Sequence, residues 1–337
     1  LAAEYMASQN TLDRAYQVLM DVPSAQHTSK SSFALFSYAL AGLPSPITND
    51  TDFSRLIAAE QLLFDIEEST ETWWKLAKAI RLLTESSNQD LPAEKSADLI
   101  TEASELSAEI SSNRPRWGLG LSLAGKISAA RGETNSAIQS LQAGISNGDI
   151  RLSTSYLLTQ LLLKMNRVVE AESEYSRFER LRQANSNIAA FGISIAERKG
   201  EYKKSLELAR QTAESNDQDE IAWLLVAQAA MMAARSTDEK LTKDALLSEA
   251  RTALDVALEL SGDASVRAYQ MRLRFSAEFF GDKALRVDVA KLAESEVSEP
   301  TRSLLSGLAY IQIKEGPLAL PLLKRAEKYS PSDPQVF

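Results

Sequence analysis

Small and large apolar residues recur along the middle of the chain with a period that neither a lone helix nor a strand produces. Ala137, Ala171 and Ser205 stand 34 residues apart, as do Leu141, Tyr175 and Ala209. In each repeat the two positions stand four apart, which places both on one helical face, and in the first two the second residue is the larger. Gly132, Asn166 and Gly200 keep the same step, at points where a first helix must stop and turn; Gly and Asn accept the left-handed backbone that ends a helix. One step on from Ala189 lies Trp223. The pattern predicts pairs of helices joined by tight turns, with the small residue of the second helix where it crosses close to the first. No stretch alternates apolar and polar residues around a hairpin turn; the one candidate, Gly148-Asp149, falls at a repeat junction. No proline lies between Pro115 and Pro300, the stretch predicted as almost unbroken helix, since a proline inside a helix costs about 3 kcal/mol. Pro115, Pro300 and Pro334 sit in cap and first-turn signals.

A period of about 34 residues in helix-turn-helix units resembles the tetratricopeptide repeat (TPR) family. The last unit, roughly 300–333, follows the family pattern most closely, with Gly307 and Tyr310 on its first helix, Ala319, Leu323 and Ala326 on its second, and Pro331 at the end. Ile221 to Ala227, around Trp223, matches the first-helix pattern; its second helix, with Ala250, Leu254 and Ala257, arrives after a polar insertion, 236–243, predicted to extend a helix or loop. Similar insertions lie at 85–92, between Trp73-Trp74 and a second helix at Ala103 to Ile110, and at 43–50. The resemblance implies an all-α fold, a TPR-like α-α superhelix in the form of a right-handed solenoid of antiparallel helix pairs, about eight of them. Three segments are expected: 1–115, degenerate repeats with insertions; 116–219, regular 34-residue repeats; and 220–337, repeats with one insertion. The opening segment with Leu12, Ala15, Leu19 and Val22 reads as a second helix lacking much of its partner, and Ser332-Asp333-Pro334 opens a helix that the sequence does not complete. Both ends read as cut from a longer array.

Composition narrows the chemistry. The 337 residues are 44% hydrophobic and 25% charged, with 37 Lys and Arg against 46 Asp and Glu, a net charge of −9. An acidic chain repels phosphate backbones, so the expectation is no nucleic-acid partner. The absence of cysteine excludes disulfides, thiolate zinc sites and cysteine nucleophiles. No run of about eighteen apolar residues occurs, so no membrane span is expected. Leu1 to Tyr5 carries neither an initiator Met nor a signal-peptide pattern. A soluble protein of cytoplasm or periplasm is expected.

No constellation for catalysis emerges, so the chain is read as not an enzyme, with no cofactor and no metal. Gly120 to Lys126 has the glycine and lysine spacing of a phosphate loop, but Ile127 stands where Ser or Thr should hold magnesium, the context is helical, and Gly125 occupies the small position of the repeat. His27 is the single histidine, in a polar stretch, which excludes a multi-histidine site or a Ser-His-Asp triad. Glu102 with Glu105, and Glu170 with Glu174, share helical faces as solvated charge. Asn49-Asp50-Thr51 is a glycosylation sequon by composition. Trp73, Trp74, Trp117 and Trp223 read as packing residues, with one of Trp73 and Trp74 left exposed.

The resemblance supplies the functional expectation. In TPR proteins the first helices line a concave groove that contacts peptides. Carried onto this sequence, those positions are Lys126, Tyr156, Gln160, Asn187, Phe191, Ser194 and Gln228. Tyr156 and Ala190 stand where the carboxylate clamp of some TPR domains has Lys or Asn, so that clamp is not expected here. Two aromatic anchors and several amides suit a peptide; Phe191 and Tyr156 alternatively pack against neighbouring helices. Arg267 and Arg274, seven apart on one helical face near Arg272, either grip an acidic ligand or pair with Glu278 and other acids. The expected role is a non-catalytic scaffold or adaptor holding a protein segment or peptide in its groove. The alternatives are the TPR region of a larger enzyme, for example a TPR-bearing glycosyltransferase positioning its protein substrate, and self-association.

Overall fold

The computed structural model of the chain describes residues 14, 16–18, 20–21, 27–44, 47–67, 72–178 and 185–329. Expectations for Leu12, Ala15, Leu19 and Val22 at one end, and for Pro331 to Pro334 at the other, lie outside the described residues. Those residues are helical, without strand, and divide into two compact units, 1–178 and 179–337. The regular central segment read from the sequence is thus shared between two units.

The described part of the first unit holds four helix pairs. They are α1 (Ser29–Ala41) with α2 (Ser54–Glu67), α3 (Trp73–Ser86) with α4 (Ala93–Asn113), α5 (Gly118–Ala130) with α6 (Thr134–Ser146), and α7 (Leu152–Lys164) with α8 (Val168–Tyr175). The second unit holds four more: α9 (Ser186–Arg198) with α10 (Tyr202–Ser215), α11 (Glu220–Arg235) with α12 (Lys240–Leu260), α13 (Val266–Phe279) with α14 (Asp282–Glu294), and α15 (Glu299–Gln312) with α16 (Gly316–Tyr329). Within each unit a first helix packs on its own second helix, and each second helix packs on the first helix of the next pair; first helices also touch from α1 to α3, α3 to α5, α9 to α11, α11 to α13 and α13 to α15.

Local chemistry explains where the helices begin and stop. Thr28, Asn185, Asp219 and Ser265 each accept a hydrogen bond from a first-turn backbone N–H of α1, α9, α11 and α13, satisfying donors that a helix start leaves free. The predicted turn residues have left-handed backbones: φ is +78° at Gly132, +57° at Asn166 and +75° at Gly200. After each, the next N–H reaches back to a carbonyl five residues earlier, from Glu133 to Ser128 at 2.9 Å, Arg167 to Leu162 at 2.8 Å and Glu201 to Ala196 at 2.8 Å. This is the 6→1 bond of a Schellman turn. Lys314 makes the same turn at φ +62°, with Glu315 bonded to Tyr310 at 2.9 Å.

Two of the three insertions are followed by long second helices, whereas α2, after 43–50, has 14 residues. Both α4 and α12 run to 21 residues, and α12 begins inside the insertion that precedes it. One proline departs from the sequence expectation: Pro321 lies inside α16. It stands one turn from the helix start on an exposed face, so it removes a single bond, to Pro317, close to an end where bonds are already missing.

The core of each unit follows the repeat. Ala137, Ala171 and Ser205 are fully buried. A Cβ on Gly125 would come 2.7 Å from Leu141 Cγ, and one on Gly307 would come 2.7 Å from Leu323, so these crossings admit no side chain. Gly125 therefore serves helix packing, and the phosphate-loop spacing lies within α5. Trp73 packs between Phe33 (ring centroids 5.1 Å) and Trp117 (5.0 Å, edge-on), and Trp74 meets Phe64 edge-on at 5.2 Å. Both are half-buried, as is Trp223, whose indole N–H donates to the Asp217 carbonyl at 2.8 Å.

Candidate functional site

In the second unit the facing sides of α11 and α13 enclose a cleft of about 410 Å³. Gln228, Met231, Met232 and Arg235 come from α11, and Arg267, Gln270, Met271 and Arg274 from α13. On each helix the end members are seven residues apart, two turns, so one stripe of each helix faces the space. The cleft combines a methionine floor, adaptable in shape, with guanidinium groups at its rim.

The guanidiniums are not equivalent. Arg235 makes two hydrogen bonds to Glu278, at 2.5 and 2.6 Å, which hold the Glu278 carboxyl below its usual range, with Arg274 adding to the effect. Arg267 forms no hydrogen bond or ion pair among the described residues, and Arg274 acts on Glu278 only through its field. Both are exposed. Arg272 points elsewhere. It is buried, bonded to Asp288 at 2.8 Å and to Asp255, while Ser276 donates to the other Asp288 oxygen. The three arginines that cluster in sequence thus divide into one core residue and two cleft residues.

The remaining groove positions fall as follows. Gln228 lies in the cleft and donates to Glu197 at 2.9 Å. Burial pushes the Glu197 carboxyl up, against the bonds from Gln228 and Ser205. Phe191 is only 7% exposed, Ser194 is half-buried, and Asn187 is exposed on the first turn of α9. In the first unit Gln160 is exposed and Tyr156 half-buried, with burial pushing the phenol up. Lys126 lines a separate cavity, among α1, α3, α5 and the segment leading into α7. The cleft residues Met231, Met232, Met271, Arg235 and Gln270 were missed in the sequence. The signal that could have found them is the seven-residue stripe on α11, matching the one already noted for Arg267 and Arg274.

The other candidates are absorbed into structure. Glu102 pairs with Lys78 at 2.7 Å, Glu170 with Arg167 at 2.6 Å and Glu174 with Arg177 at 3.1 Å. The Asn49 side-chain oxygen accepts from Asn88 at 3.0 Å. His27 is half-buried just before α1. Among the described residues no group of three His, Asp or Glu side chains is placed to hold a metal ion, and no helix is long and apolar enough to cross a membrane.

The paired helices, the left-handed turns at 34-residue steps and the small residues at each crossing now stand together with the likeness to solved structures. The human IFIT1 dimer, solved with PPP-AAAA, superposes with a TM-score of 0.53 at 11% identity, over 97% of this chain and 74% of that one. This is a TPR-like helical-repeat fold. A tetratricopeptide repeat protein from Parabacteroides merdae is also similar, with a TM-score of 0.49 at 12% identity over 88% of this chain and 99% of that one. So is Cut9–Hcn1 of the APC/C, at 0.45 and 13% over 96% and 65%. At such identities the likeness is one of fold. No protein-family model and no curated protein matches the TPR-like sequence.

Proposed function

We propose that this TPR-like chain is a non-catalytic adaptor that holds an acidic protein segment, with the α11–α13 cleft as the principal contact. The observation carrying this reading is that Arg267 and Arg274 stand exposed on one wall of a methionine-floored cleft without ion-pair partners among the described residues. Guanidinium groups pair with carboxylates bidentately, and thioether side chains accept varied apolar residues. An extended or helical segment carrying Asp or Glu beside Leu, Phe or Met satisfies both. The exposed Asn187 and Gln160 offer further amide contacts on first helices of their own units.

The IFIT1 structures hold PPP-AAAA and m7Gppp-AAAA, which makes nucleic acid the competing ligand. The net charge of −9 opposes a partner carrying a charge on every residue, whereas a peptide with a few carboxylates needs only the local arginines. Fluorescence anisotropy with a labelled amphipathic peptide rich in Glu and Leu tests the reading. Reversing both charges, Arg267→Glu with Arg274→Glu, is expected to weaken binding by about tenfold or more. Unchanged affinity of the double variant would defeat the assignment, and so would tighter binding of a triphosphate oligonucleotide than of the peptide.

A further inference from the structure

The first unit contains its own cavity, of about 680 Å³, and its chemistry differs from that of the cleft. Phe33 and Leu40 of α1, Trp73 and Ile80 of α3, and Leu119 of α5 supply apolar surface, with the fully buried Phe36 behind them. Three cations line the same space: Lys30 at the start of α1, Lys126 on α5, and Arg151 just before α7. No carboxylate is among the lining residues, in a chain that carries more acids than bases.

The three cations differ in how they are compensated. Arg151 makes two hydrogen bonds to Asp149, both at 2.8 Å, and Asp149, buried and also bonded by Thr154 at 2.8 Å, supplies the matching charge. Lys30 is exposed to water. Lys126 is half-buried and forms no hydrogen bond or ion pair among the described residues. Desolvation and repulsion from Arg151 push its ammonium down to about 8, against the attraction of Asp149. A desolvated cation without a partner is unfavourable until an anion arrives.

We propose that this basin binds an amphipathic carboxylate, its apolar tail against Leu40, Trp73 and Leu119 and its head group on Lys126. The volume lies within the range of small-molecule sites, which are mostly apolar with a few placed polar groups. Of the three cations only Lys126 is both withdrawn from water and without a partner, so a monovalent head on Lys126 matches the site, with Lys30 left to solvent. The exposed Lys30 on the lining adds a positive field that draws the anion in. The site lies in the other unit from the acidic-segment cleft and takes a different class of ligand, so it stands apart from the adaptor reading. It also gives Lys126 a role other than contact with a peptide.

Isothermal titration of the whole chain with dodecanoate, below its micelle concentration, tests the proposal, with dodecyltrimethylammonium and an amphipathic peptide ending in a free carboxylate as comparison ligands. Dodecanoate is expected to bind at one site per chain, and dodecyltrimethylammonium to bind at least tenfold more weakly. Lys126→Met should weaken dodecanoate about tenfold, the loss expected for one charge-assisted hydrogen bond, and Lys126→Arg should retain most of it. Leu119→Trp, which fills the basin, should remove binding while circular dichroism stays helical. Equal binding of the cationic and anionic detergents, unchanged affinity in Lys126→Met, or binding of the peptide but not of dodecanoate would each overturn it.

Discussion

Among the described residues, three that are not glycine hold left-handed backbones: Asn166, Asp263 and Lys314. For an L-residue with a full side chain that conformation costs roughly 1–2 kcal/mol, which Asn and Asp lessen by local hydrogen bonding and Lys does not. At Gly200 nothing stands within 4 Å of where a Cβ would go, so Gly200→Ala isolates the backbone term and should destabilise by about 1 kcal/mol. Lys314→Gly should stabilise by up to about 1 kcal/mol, because relief of strain outweighs the greater freedom of the unfolded glycine chain. Urea denaturation midpoints measure both, and shifts of the same sign would contradict the explanation. Asp149 makes a second residue-scale test. Its bonds from Arg151 and Thr154 outweigh desolvation and hold its carboxyl at about 2, below the unfolded value near 3.9. A depressed folded pKa adds stability that is complete above the unfolded value and is lost as pH falls from about 4 through 2; two units correspond to roughly 2.5 kcal/mol. Asp149→Asn should therefore flatten the stability profile over that range, and a profile as steep as that of the unaltered chain would show that other carboxylates carry it.

At the scale of elements, the buried Arg272–Asp288 pair ties α13 to α14, and Asp255 brings in α12. Arg272 and Asp288 have side chains 5% and 2% exposed, whereas Asp255 is 55% exposed. Removing one member of a buried pair leaves the other charge desolvated, at a cost of roughly 3–5 kcal/mol, while exposed pairs contribute about 1 kcal/mol or less. Asp288→Ala should thus lower stability by about 3 kcal/mol and Asp255→Ala by under 1 kcal/mol. Chemical denaturation of the two variants decides this, and equal losses would mean that burial does not set the energetics. The sequence showed Arg272 next to two other arginines on one helix. It did not show that Arg272 faces the core, because its partners lie on other helices. By contrast the turn at each pair was legible, since Gly132, Asn166 and Gly200 need only their own backbone to declare it. Trp73 and Trp74 lay between these cases: neighbours on a helix point in different directions, yet Phe33 of α1 and Trp117, just before α5, cover Trp73, and Phe64 of α2 covers Trp74.

Across the whole molecule, two units each carry a lined cavity on the side of their first helices. The adaptor reading rests on local positive charge in an acidic chain, so binding of an acidic peptide should weaken with salt, as Debye screening shortens at higher ionic strength. Phe191, assigned as a ligand anchor from its repeat position, is almost fully buried. Its truncation would report on core packing, where Phe→Ala costs about 3–5 kcal/mol, and a binding assay on such a variant would measure stability. The repeat step, the turn residues, the small crossing positions and the all-helical pairing were set by the sequence alone, because each depends on residues within one or two helical turns. Which lysine lies without a partner, which arginine enters the core and which first-helix residues line a cavity were decided only by tertiary packing. Lys30, Lys126 and Arg151 are separated by many residues along the chain, and burial is a property of neighbours that spacing does not specify.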